Sequence, residues 1–172
     1  MTMTLNTSII AESFERAKNE NGGLKPLGLR FYERLFEKYP GVRPLFHTPP
    51  EEQHKKLMAS IGAIVASVNH PETMLPYLRA MGARHIAYKT EEEHYAAVAE
   101  NLLAVLAEHL SIEGDWTEEM QNNWQEALTV VSNVMIDAAK HPEQYRDELQ
   151  KAGYQADGFR ADSKKPWELS LN

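Results

Sequence analysis

LPYLRAMGARHIAYKTEEEHYAAVAENLLAVL, residues 75–106, is the stretch on which the reading of this chain turns. Leu78, Met81 and His85 in its first part are spaced by three and four residues, so they share one helical face. Lys89-Thr90 interrupts the pattern, and Thr90-Glu91-Glu92-Glu93 has the form of a capping box. Tyr95, Val98, Leu102, Val105 and Leu106 then recur at the spacing of a long amphipathic helix. An imidazole on an apolar helical face is either a core histidine or a metal ligand.

Working outward, the same helical punctuation appears on both sides, and no alternating β-branched run suggests a strand. Toward the N-terminus, Asn69-His70-Pro71-Glu72 is a helix start, but Pro76 marks a second one and predicts a short helix over 76–87. A helix that short gains little by itself, so its order is expected to depend on a ligand bonded to His85. Thr48-Pro49-Pro50-Glu51 reads as a capping box for a helix to about residue 68, with Gln53, Leu57, Ile61, Ile64 and Val68 inward. Residues 41–48 form a loop holding Phe46 and His47. An earlier helix opens at Pro26, buries Leu27, Phe31, Leu35 and Phe36, and stops before Pro40. Gly28 inside it costs about 1 kcal/mol against alanine, which close approach of another helix would explain. The first helix covers 8–19 and ends at Asn21-Gly22-Gly23.

Toward the C-terminus, Asp115-Trp116-Thr117-Glu118 starts a helix that buries Met120, Trp124, Leu128, Val131, Met135 and Ala138 and breaks at His141-Pro142. One more helix is expected over 143–152, then a loose polar tail in which Trp167 and Leu169 are able to dock. The expected organisation is an all-α domain over 1–142 with an extension over 143–172.

Composition narrows the function. The chain has 172 residues, 42% of them hydrophobic, enough for a sizeable core. A net charge of −7 with scattered basic residues argues against a nucleic-acid partner. No cysteine is present, which removes disulfides, thiolate ligands, iron–sulfur clusters and cysteine nucleophiles and suits a reducing cytosol. The longest apolar run, about residues 61–68, is too short to span a membrane, and MTMTLNTSII lacks the form of a signal peptide. A cytoplasmic protein is expected.

Tyr32, Phe46, Gln53 and His85 stand out by type and order. With the runs FYERLFEKYPGVRPLF (31–46), RH (84–85) and EHYAAVAENLLAVL (93–106), the chain resembles the globin family, over about residues 8–140. The likeness is to single-domain bacterial haemoglobins and the haem domain of flavohaemoglobins. It implies a globin fold, a three-over-three helical sandwich, that holds haem b (iron protoporphyrin IX). It further implies His85 as proximal iron ligand, Phe46 stacked on the haem, Tyr32 and Gln53 donating hydrogen bonds to a bound gas, and Leu57 limiting the distal space. Haem carboxylates want cations, for which Lys56 and Arg84 are candidates.

Each residue also has a plainer reading. Tyr32 is equally a core tyrosine, Gln53 a first-turn surface glutamine, Phe46 ordinary core, and Lys56 and Arg84 solvated cations. His54 follows Gln53 and faces about 100° away. It is a sixth iron ligand if the register slips by one, and otherwise a surface residue near the haem edge. His47 and His70 fall in loops, His109 near a helix end where a cation suits the dipole, and His94 on the wrong side of its helix.

Two departures from the flavohaemoglobin pattern shape the expected function. No flavin or nicotinamide domain follows and no glycine-rich dinucleotide motif is present, so an external electron donor is expected. Those proteins also tie the proximal histidine to a tyrosine and a glutamate. Tyr95 matches the tyrosine, but the glutamate expected around residues 139–141 is missing, with Asp137 or His141 as substitutes. The implied function is reversible binding of dioxygen, with NO and CO as further ligands. The alternatives are a nitric oxide dioxygenase served by a separate reductase, and a haem-based gas or redox sensor using 143–172 as a partner contact.

Overall fold

The computed structural model describes residues 5–112 and 114–160. Seven α-helices follow in order: α1 (Thr7–Asn19), α2 (Leu24–Lys38), α3 (Pro50–Ala66), α4 (Pro71–Ala87), α5 (Glu92–Ser111), α6 (Glu118–Lys140) and α7 (Arg146–Lys151). Two 3-10 turns, Pro40–Leu45 and Pro142–Tyr145, follow α2 and α6. Among the described residues there is no strand, only an isolated antiparallel bridge between Tyr154 and Arg160. Helices α1, α3 and α4 form one layer and α2, α5 and α6 the other, with α2 crossing α3 and α4 lying along α6.

Local chemistry sets the helix ends. Asn6 accepts from the Ser8 amide at 3.1 Å, and Thr117 accepts from the Met120 amide at 3.1 Å. Two expected caps fall elsewhere. Pro49 occupies the N-cap of α3, and the Thr48 hydroxyl accepts instead from Lys56 Nζ at 3.3 Å. Glu91, not Thr90, caps α5, and the His94 ring accepts from the Glu91 amide at 2.9 Å. Lys89 makes the break before it with a φ of 60°.

The helix around His85 is not short. It runs for 17 residues, straight through Pro76. Proline in a helix interior forfeits one backbone bond and costs about 3 kcal/mol. Burial of Leu78 and Met81 against α6 offsets that cost. The contact is close: a Cβ added to Gly82 would lie 2.3 Å from the Met135 carbonyl oxygen. Helix α4 is therefore held against α6.

The apolar residues form two clusters. The larger gathers Ile10, Phe14, Leu27, Phe31, Leu35, Met58, Leu102, Leu106 and Trp124 from five helices. Trp124 donates to Ser13 Oγ at 2.7 Å, so its indole nitrogen is satisfied within that core. The smaller gathers Leu78, Met81 and Met135, with Ile64, Tyr95, Val131 and Val134 packed on it. Helix α3 contributes Met58 to the first cluster and Ile64 to the margin of the second.

After α6 the described residues continue to Arg160. Leu149 is 1% exposed, and the turn that follows it lies on α4. Trp167 and Leu169 lie outside the described residues.

Candidate functional site

His85 sits in the last turn of α4, half-buried, with Nδ1 2.6 Å from the Met81 carbonyl oxygen. A carbonyl only accepts, so Nδ1 carries the proton. Burial, the dominant effect, pushes the imidazole pKa down to about 4, outweighing the Met81 bond, with Arg84 lowering it further. The ring is therefore neutral at pH 7, and Nε2 keeps its lone pair. That is the state a metal-ligating histidine needs, with its second nitrogen held by a backbone carbonyl.

Two tyrosines flank the ring. Tyr88 meets it edge-on at 5.4 Å, and Tyr95 lies 6.0 Å away at 33°. The Tyr95 hydroxyl is buried with no hydrogen-bond partner among the described residues, and burial pushes its pKa up to about 12. Neither expected substitute for the missing glutamate reaches it. Asp137 accepts from the Tyr145 hydroxyl, and exposed His141 turns toward Asp137 at 4.0 Å. Tyr95 packs instead among Met135, Val131 and Val134, so that environment is apolar.

The second group of expected residues comes together on α2, α3 and the turn between them. Tyr32 is 3% exposed, with the Gln53 side chain close to its hydroxyl. Burial raises the phenol pKa strongly, and the neighbouring Gln53 side chain opposes that only in part. Phe46 meets Tyr32 edge-on at 5.5 Å and Phe36 at 5.4 Å. Phe36 was absent from the expected site, although it lies four residues after Tyr32 on the same helical face. Leu57, Ile61 and Phe46 are apolar yet only partly buried, at the edge of the larger cluster.

His54 does not face the same way. Its side chain is 5% exposed and wedged against α2, where a Cβ on Gly28 would lie 2.7 Å from the His54 Cβ. This contact explains the glycine inside α2. It also overturns the expectation of a surface residue, since the ring is buried against α2. His54 Nε2 is buried with no hydrogen-bond partner among the described residues. Burial lowers its pKa, aided by Lys25 and Lys55 and opposed by Glu51.

A pH dependence follows. The unfolded chain protonates His54 near pH 6.5, whereas the folded chain resists protonation until lower pH. Its contribution to stability is therefore full above pH 6.5 and declines below it, by up to about 1.4 kcal/mol per pH unit. Urea midpoints at pH 7.5, 6 and 5 should fall more steeply for the parent than for His54→Leu. Parallel curves would remove His54 as the cause.

The expected cations have other partners. Arg84 donates to the Gly158 carbonyl oxygen at 3.0 Å, toward the C-terminal segment. Lys56 is half-buried, donates to Thr48, and has its pKa lowered by burial. His109 lies in the last turn of α5, as expected, but is 7% exposed, with Nε2 3.2 Å from the Ala17 carbonyl oxygen.

A sequence model of the globin family matches residues 29–135, which span the Tyr32–Gln53 group and His85. The chain belongs to the globin family. This globin is 32% identical over 111 residues to an uncharacterised globin-like protein of Aquifex aeolicus, covering 64% of this chain and 77% of that one. It is 31% identical over 111 residues to a flavohemoprotein of Rhodopirellula baltica, covering 62% of this chain and 26% of the relative. The globin thus spans about a quarter of the length of that flavohemoprotein. A bacterial globin from Campylobacter jejuni has the same fold, with a TM-score of 0.67 at 23% identity over 80% of this chain and 96% of that one.

Membership makes this a haem-binding globin. The residues present suit that group. The imidazole is neutral with Nε2 available, apolar side chains at Leu57, Ile61 and Phe46 are only partly covered, and polar donors lie on α2 and α3. Among the described residues no helix is long and apolar enough to cross a membrane.

Proposed function

We propose that this globin holds haem b through His85 and binds dioxygen reversibly, with CO and NO as further ligands. One observation supports it above the others: Nδ1 of a neutral His85 is committed to the Met81 carbonyl, which leaves Nε2 to the iron. Haem supplies the iron at which a diatomic gas binds. Phe46, Leu57 and Ile61 offer apolar contact to the flat ring, and Lys56 a cation for its carboxylates. Tyr32 and the neighbouring Gln53 offer protons to a polar ligand. Tyr95 lends His85 no anionic support, so the imidazole is a modest donor, which favours reversible binding over oxidative turnover.

The test is the visible spectrum of the ferrous protein with and without CO; no Soret band after haem addition would sink the reading. The distal assignment has its own test. Tyr32→Phe should speed dioxygen dissociation about ten- to a hundredfold, the worth of a hydrogen bond to a partly charged partner. CO dissociation should change far less, because bound CO accepts hydrogen bonds weakly. Equal effects on both gases would place Tyr32 in the core alone.

The flavohemoprotein relatives favour a second reading, a nitric oxide dioxygenase that draws electrons from a separate reductase. NO consumption by the oxygenated protein, measured with and without a reductase, separates the two. The absence of cysteine fits either function in a reducing cytoplasm.

A further inference from the structure

The segment after α6 is seated on the turn that bears His85. Gly158, at a φ of 88°, packs directly on the α4 backbone: a Cβ there would lie 2.1 Å from the Ala80 carbonyl oxygen and 2.9 Å from the Arg84 nitrogen. On another side of the same turn, Gly82 meets the Met135 backbone equally closely. The turn from Ala80 to Arg84 is thus gripped between two main chains. It includes Met81, whose carbonyl orients His85.

Side chains fasten the grip. Arg84 donates to the Gly158 carbonyl oxygen at 3.0 Å. Arg79 Nη1 reaches both oxygens of Glu148 at 2.7 Å, and its guanidinium lies 4.4 Å from the centre of the Tyr145 ring. Phe159 meets Tyr88 edge-on at 6.5 Å, and Tyr88 meets the His85 ring at 5.4 Å. The segment therefore reaches the imidazole by two routes, through the backbone at Arg84 and through the ring of Tyr88.

We propose that residues 142–160 are a proximal brace, in which Gly158, Phe159 and Glu148 position the His85 imidazole and so tune the bond it makes to iron. This rests on the haem reading above. The geometry assigns the segment to its own domain and not to a partner: its apolar residue Leu149 is buried, and its acidic Glu148 is paired. Phe159, Tyr88 and Arg84 are positioning residues, since only His85 is offered to the iron.

The test uses the full chain with Phe159→Ala, Glu148→Gln and Gly158→Ala. The first two replace side chains without forcing a clash, so they stay informative if Gly158→Ala folds poorly. The first readout is the iron–imidazole stretching band of the ferrous protein by resonance Raman. It should shift in Phe159→Ala with the Soret band retained. The second is hydrogen exchange of the haem-free protein, where the amides of residues 83–86 should exchange about tenfold faster in Glu148→Gln. A band that stays in place in every variant overturns the brace, even if exchange quickens, because the segment would then only stabilise the helix. A parent chain with no Soret band overturns the haem reading and the brace together. A normal parent spectrum with an unmoved band overturns the brace alone.

Discussion

His85→Ala is expected to abolish the histidine-ligated spectrum and weaken haem retention more than roughly a hundredfold, since loss of a mere neighbour of a ligand already costs ten- to a hundredfold. The fold should survive. The side chain is half-buried and, among the described residues, its hydrogen bond is to the Met81 carbonyl within its own helix. The cavity left by the substitution lies beside Tyr88 and Tyr95 and should admit free imidazole. Millimolar imidazole is therefore expected to restore the ferrous spectrum. Absorption spectra of parent and variant, with and without imidazole, check both parts. A variant indistinguishable from the parent would move the iron ligand elsewhere.

Gly82→Val should have the largest effect on stability. Its Cβ would lie 2.3 Å from the Met135 carbonyl oxygen and 2.8 Å from the Met135 Cα. Both are backbone atoms and cannot turn aside, so α4 and α6 must separate. Overpacking of this kind costs about 3 kcal/mol, or roughly 6–12 °C in melting temperature for a chain of this size. Gly41→Ala, where nothing lies within 4 Å, should change stability by less than about 0.5 kcal/mol. Urea unfolding of both variants checks the contrast. Equal stability for Gly82→Val and the parent would mean that the α4–α6 contact is not what holds the His85 helix.

These two expectations separate what could be read from residue order from what could not. The 3.6-residue spacing of Leu78, Met81 and His85, and of Tyr95, Leu102 and Leu106, is a local property, and both helices are present. The stop at Asn21-Gly22-Gly23 and the helix start within Asp115-Trp116-Thr117-Glu118 also depend on a few neighbours, and both hold. Pro76 misled because its cost is local while its compensation is not. Burial of Leu78 and Met81 on α6 is a long-range gain that no window around residue 76 contains. Thr48 and Thr90 failed as caps for a similar reason, since Pro49 and Glu91 hold the positions.

The candidate site divides along the same line. Tyr32, Phe46 and Gln53 were recognisable by type and order, and the structure brings all three together. The direction of His54 was not readable, because it depends on where α2 crosses α3, and the clue was Gly28. The partner of Tyr95 was sought around residues 139–141. It is instead apolar, because α6 packs Val131, Val134 and Met135 into the cluster that receives Tyr95. Arg84 looked like a cation for haem and turns out to face Gly158, across 74 residues of sequence.

By itself the sequence determined that the chain is helical, where most helices begin and end, and which histidine shares a face with Leu78 and Met81. Hydrogen bonds four residues apart and side-chain periodicity are sufficient for that. Only the tertiary structure decided that His85 presents a neutral ring with Nε2 available, that the Tyr95 hydroxyl has no polar partner among the described residues, and that residues 142–160 pack on the helix bearing His85. These depend on desolvation and on backbone contacts between segments far apart in the chain, which arise only when the helices pack.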